Sequence, residues 1–140
     1  MEKPKARPDT RIEEDKKGVG SEITTSSLIA VYTLDTNVII YYAKGESDVV
    51  SFVESLYVQN ALVYISTVTE TELFASAYLQ EQERDRINSF LKSVGIVPVD
   101  SHIACSAAEV RRLHGLRLGD AIIAATALFT HTPLVTRNQR

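Results

Sequence analysis

The chain of 140 residues contains a single cysteine, Cys105. That excludes an internal disulfide framework and any cysteine-rich metal site, and it fits a reducing, cytoplasmic setting. Excess positive charge is lacking too: 15 Lys and Arg stand against 18 Asp and Glu, for a formal net charge of −3. A non-specific nucleic-acid coat needs a basic surface and is excluded, whereas an enzyme that acts on nucleic acid is not. No apolar run approaches the roughly 18 residues that mark a membrane span. The charged N-terminus has no apolar stretch of the secretory kind. His102, His114 and His131 are scattered without metal-ligand spacing and read as surface or capping residues. No segment repeats. Cys105, in "HIACSAAEV", reads as a small buried helix residue.

The length fits one domain with a real core. Residues 1–28 differ from the rest: Pro, Gly, Ser, Thr and mixed charges with almost no apolar side chains. Such a segment cannot bury enough surface to offset its ordering entropy and reads as a flexible tail, leaving 29–140 as the domain. Within it, "LIAVYTL" reads as a first strand and "NVIIYYA" as a short helix stopped by Lys44-Gly45. Residues 47–59 carry Val49, Phe52, Val53, Leu56 and Tyr57 at helical spacing. "ALVYIS" is a second strand, and 67–79 and 81–94 are helices. "GIVPV" is a third strand, with Pro98 marking an edge or an end. Helices over 101–114 and 118–129 and a last strand, "PLVT", follow. The segment 118–129, "LGDAIIAATALF", is apolar on nearly every side, which predicts a central helix. Strands alternating with helices predict an α/β fold: a three-layer α/β/α sandwich on a parallel sheet of four to five strands.

In such sheets ligands bind beyond the carboxyl ends of the strands. Three acids belong there: Asp35 after the first strand, Glu72 in the helix after the second, and Asp120 at the start of the apolar helix. Each has a structural alternative. Asp35 with Thr36 and Asn37 suits a turn or a helix N-cap, and Asp120 suits a helix start, for up to about 1 kcal/mol. Converging carboxylates repel unless a cation is present, and Mg²⁺ with oxygen ligands and water is the usual resolution.

The segments "LDTNVIIYYAKGE", "ISTVTETELF", "LRLGDAIIAATALF" and "LVTRN", in this order from about Ala30 to the end, resemble the motifs of the PIN domain. More narrowly they resemble the VapC-type toxins of toxin–antitoxin pairs. The resemblance implies a Mg²⁺- or Mn²⁺-dependent endoribonuclease with Asp35, Glu72 and Asp120 as metal-binding and catalytic acids. Glu72 is preferred to Glu70 because the family places this acid directly before a leucine. Ser66 and Thr136 match small hydroxyl positions that orient the acids, and Thr36, Asn37 and Arg137 stand beside them as supporting or substrate-contacting groups. Arg117 and Arg137 suit RNA phosphates or surface ion pairs equally. Where the family often has a fourth acid this chain has Asn138, which can ligate through its carbonyl oxygen but adds no charge. Family members usually continue past the position of Arg140, which leaves a domain incomplete at its C-terminus as an alternative. The resemblance also implies a cognate antitoxin. The apolar stripes on 47–59 and 81–94 suit a homodimer face, an antitoxin groove or plain core. Two other functions compete: a PIN-derived binding module with weakened catalysis, and a phosphate-accepting signalling module. The latter needs a late-strand lysine that "PLVTRNQR" lacks.

Overall fold

The computed structural model describes residues 29–137; the N-terminal segment 1–28 and the position of Asn138 lie outside them. Four strands form one parallel sheet: β1 (Val31–Leu34), β2 (Leu62–Ser66), β3 (Gly95–Val97) and β4 (Leu134–Val135), in the order β3-β2-β1-β4. Among the described residues six helices connect them. They are α1 (Thr36–Ala43), α2 (Ser47–Val58), α3 (Thr67–Ala75), α4 (Glu81–Leu91), α5 (Ser101–His114) and α6 (Leu118–Thr130). None is long and apolar enough to cross a membrane.

Strand alternation divides the core into two layers. Leu34, Val63 and Ile65 turn to one face, where they meet Val38 and Ile39 of α1, Val53 and Leu56 of α2, Leu73 of α3, and Ile87 and Phe90 of α4. The smaller second cluster joins Val97 to Ile103 and Ala107 of α5 and Ala121 and Ala125 of α6, with Tyr64 packed against it. Thr33, fully buried, bonds its hydroxyl to Thr132 at 2.6 Å and lies 3.2 Å from Thr130, tying β1 to the end of α6. The arrangement is the expected three-layer sandwich. The stripes on α2 and α4 are core: Val49, Val53, Leu56, Ile87 and Phe90 are buried, and Phe52, Leu91 and Val94 pack on them.

Several boundaries differ from the expected ones. The third helix stops at Ala75 instead of running to residue 79, because the Ser76 backbone turns extended at ψ 117. Its carbonyl accepts a 2.7 Å bond from Arg84 Nη2, and Leu79 is buried without continuing the helix. The fourth helix ends at Leu91, with Lys92 as C-cap. β3 stops at Val97, immediately before Pro98, on the sheet edge. Cys105 is exposed, not buried: in α5 the buried face is carried by Ile103 and Ala107. α6 is central only over its middle, since Leu118, Leu128 and Phe129 are exposed. Gly115, in the left-handed region at φ 66, ends α5, and His131, at φ 55, caps α6.

Candidate functional site

From β1 the chain crosses to β2 and β3 on one side, and the last crossover returns to β4 on the other. The connections therefore diverge between β1 and β4, and a crevice opens beyond their carboxyl ends. Asp35 leaves β1 at this point. Its backbone N–H bonds to the Val135 carbonyl at 2.9 Å, which sets Asp35 beside Thr136 at the end of β4.

Asp35 is the N-cap of α1, and its Oδ1 accepts from the Thr36 N–H at 2.7 Å. Oδ2 accepts from the Thr136 hydroxyl at 2.8 Å. The acid thus starts a helix and lines the crevice. Asp120 occupies the first turn of α6, two residues after Leu118 opens the helix. Asp35 and Asp120 together line two adjoining cavities, one shared with Thr136 and Leu134, the other with Thr36, Asn37, Glu72 and Arg117. The larger holds about 850 Å³. No hydrogen bond or ion pair holds the Asp120 carboxylate among the described residues.

Glu72 reaches the same cavity from the second turn of α3. The buried Thr36 hydroxyl donates to its Oε1 and lies 3.3 Å from Thr69 Oγ1. Glu70 does not line the cavity, so of the two acids the structure brings Glu72 to the others. Ser66 does not touch an acid. Its hydroxyl accepts from the Val68 N–H at 3.0 Å and caps α3, which carries Glu72. Arg137 pairs with Glu46 at 3.5 Å and Asp48 at 3.1 Å and stacks over Tyr41 at 4.9 Å. It follows Thr136 in the chain and ties that segment to the start of α2. Asn138 lies outside the described residues.

Gly119 belongs to the site but carries no polar side chain to signal it. A Cβ there would stand 2.9 Å from Glu72 Oε2, so the missing side chain lets the carboxylate lie against the first turn of α6. The positive end of a helix favours a carboxylate in that place. The available signal was a glycine inside a helical pattern, which needs a packing reason to offset its conformational cost.

The donors are oxygens of carboxylates, hydroxyls and an amide, the set that suits a hard divalent cation. They fit a cation held by one or two carboxylates and water. They do not enclose one: among the described residues no three His, Cys, Asp or Glu side chains are grouped closely enough to hold a metal ion.

A family model described as the PIN domain matches residues 32–140. Comparison with curated proteins gave no match. Among solved structures, a chain of a toxin–antitoxin complex from Klebsiella pneumoniae is 30% identical, with 78% of this chain and 86% of that one covered at a TM-score of 0.64. A chain of VapBC-1 from nontypeable Haemophilus influenzae is 28% identical, covering 77% and 87% at a TM-score of 0.59. A chain of VapBC2 from Rickettsia felis, bound to a DNA fragment from its promoter, is 25% identical, covering 77% and 88% at a TM-score of 0.62.

Proposed function

The chain belongs to the PIN domain family, and from that premise we propose that it is a Mg²⁺- or Mn²⁺-dependent endoribonuclease, the toxin of a toxin–antitoxin pair. One observation carries the reading: Asp35 at the N-cap of α1, Glu72 in α3 and Asp120 in α6 line one cavity where the connections of the sheet diverge. The solved neighbours, chains of toxin–antitoxin complexes, support a protein antitoxin as partner.

Asp35 and Asp120 are the residues assigned to hold the cation. When bound, it would lower the pKa of a water and stabilise charge on the scissile phosphate. Asp35 is oriented at both oxygens by Thr36 and Thr136, so its geometry is fixed before substrate arrives. A carboxylate has about four lone-pair sites, and two donors leave both oxygens able to accept more. Glu72, steadied by the Thr36 hydroxyl, is assigned to orient the attacking water. As the water oxygen bonds to phosphorus, the bond to the leaving sugar oxygen breaks; the water releases a proton to solvent and the sugar oxygen takes one from it. Asn37 and Arg117 line the same cavity and are assigned to the substrate backbone. A homodimer is proposed as the assembly, with the exposed Tyr57, Val58 and Leu62 at one end of the sheet as apolar surface for a second copy. Light scattering of the purified chain tests it, and a monomer at micromolar concentration rejects it.

The decisive experiment is cleavage of total RNA with and without Mg²⁺, followed by mapping of the ends. Asp35→Asn and Asp120→Asn should each lower cleavage by at least about a hundredfold while circular dichroism stays unchanged. Glu72→Gln should lower it far more than Glu70→Gln. Full activity in either Asp variant rejects the site. The competing reading is a binding module with weakened catalysis. RNA binding without cleavage at saturating Mn²⁺ would select it.

A further inference from the structure

Between Val110 and Gly119 the chain carries Arg111, Arg112, His114 and Arg117 and no acid, although the whole protein is net negative. These residues form the end of α5 and the turn into α6. Basic side chains in a last helical turn favour the negative helix end, and Arg111 is accounted for in that way: its Nε donates to the Leu116 carbonyl at 3.0 Å across the turn. Arg112 and Arg117 are not. Neither has a hydrogen-bond or ion-pair partner among the described residues.

Their placement gives them a use. Arg117 lines the acid-bearing cavity. Arg112 lines a second groove of about 550 Å³, whose walls include Leu116, Leu118 and Ala108. The two depressions share Gly115 and Leu116. Nothing stands within 4 Å of where a Cβ of Gly115 would be, so the wall they share is open at that position. The trough thus runs from the acids at Asp35 and Asp120, past Arg117, over the turn, to Arg112.

We propose that this trough is an extended subsite for single-stranded RNA, in which Arg117 and Arg112 bind the phosphates on one side of the scissile bond. The inference rests on the ribonuclease reading and deepens it. A polyanion must approach a cavity whose own side chains are acidic, and neighbouring cations are what offset that repulsion. Arginine suits the task because its planar fork pairs with two phosphate oxygens at once. Leu116 and Leu118 give the trough apolar surface for the bases.

The test is fluorescence anisotropy of the full chain with a labelled twelve-nucleotide RNA, in EDTA and again in Mg²⁺, over a range of salt. Each phosphate contact on a single strand contributes about 0.7 to the slope of log affinity against log salt. Arg112→Ala and Arg117→Ala should therefore each lower the slope by about 0.7, and the double variant by about twice that. Lys92→Ala, at the far end of α4, should leave it unchanged. In cleavage, Arg112→Ala should raise KM with little change in kcat. An unaltered slope and KM in the double variant would overturn the subsite and leave the ribonuclease reading standing. Arginine-dependent binding without cleavage in Mg²⁺ would support the subsite and reject that reading. No binding of the RNA by the intact chain in either buffer overturns the proposal. So does equal, arginine-dependent binding of a polyglutamate peptide, which would assign the trough to an acidic protein segment.

Discussion

Gly119 and Glu72 set stability and chemistry against each other at a single position. A glycine in a helix is less favourable than alanine by up to about 1 kcal/mol. The chain bears that cost where a Cβ would meet Glu72 Oε2 at 2.9 Å. The oxygen is the far end of a flexible side chain, so alanine would be admitted by a small shift of the carboxylate. Gly119→Ala should therefore raise the melting temperature slightly, or leave it unchanged, while it lowers RNA cleavage severalfold. Thermal denaturation and a cleavage time course on the same preparation check both. A variant with full activity would show that the position of Glu72 does not matter to the reaction. The same Glu72 oxygen pair depends on Thr36, a buried hydroxyl one residue after the N-cap. Threonine at that place looks in sequence like part of the capping pattern, and its reach to another helix appears only in three dimensions.

Helices were legible wherever their signals were local. Ser101–His114 shows an Asp100 N-cap bonded to the Ile103 N–H at 2.9 Å and a left-handed Gly115 at its end, and its bounds are the expected ones. α3 and α4 run shorter than their apolar periodicity: α3 ends where Arg84 of the next helix bonds to the Ser76 carbonyl, and α4 ends in a local turn in which the Ser93 N–H bonds to the Phe90 carbonyl. Cys105, expected to be buried, is exposed for a related reason. In an alanine-rich helix, small residues face both core and solvent, and composition does not say which. Among site residues, the acids stood out because each interrupts apolar sequence. Gly119 did not, since it acts by having no side chain, and Ser66, expected to orient an acid directly, instead caps the helix that carries Glu72. α4 carries a testable device of its own. Glu83 accepts from the Gln80 N–H at 2.9 Å in a capping box and pairs with Lys44 at 3.3 Å. The backbone bond from Gln80, more than the lysine, holds the Glu83 carboxyl below the ordinary glutamate range. A depressed carboxyl stabilises the fold above its unfolded value and loses that contribution as pH falls through the folded one. The melting-temperature gap between the natural chain and Glu83→Ala should hence be constant above the ordinary glutamate range and close as pH falls below it. A gap that persists into acid would assign the cap to something other than the charged carboxylate.

At the scale of the molecule, two unequal cores meet at a sheet whose diverging connections create the crevice. The larger core involves α1 to α4, the smaller α5 and α6. Asp35 and Glu72 belong to the first side and Asp120 to the second. A cation shared between Asp35 and Asp120 would therefore add a link between two sides that already meet through the sheet and where α3 packs on α6, and its binding should register as stability of the whole domain. A ligand at a hundred times its Kd that binds only the folded state adds about 2.7 kcal/mol. For a domain of this size that is on the order of 10 °C in melting temperature. Mn²⁺ at that excess should raise the melting temperature accordingly, EDTA should reverse it, and matched ionic strength from KCl should not reproduce it. The Asp35→Asn, Asp120→Asn double variant should show the opposite pattern. Its cation-free melting temperature should be equal or higher, because like charges have been removed from the crevice, and its response to Mn²⁺ should vanish. An equal Mn²⁺ increment in the natural chain and the double variant would mean that the cation binds elsewhere, and the link between the two layers through Asp35 and Asp120 would be wrong.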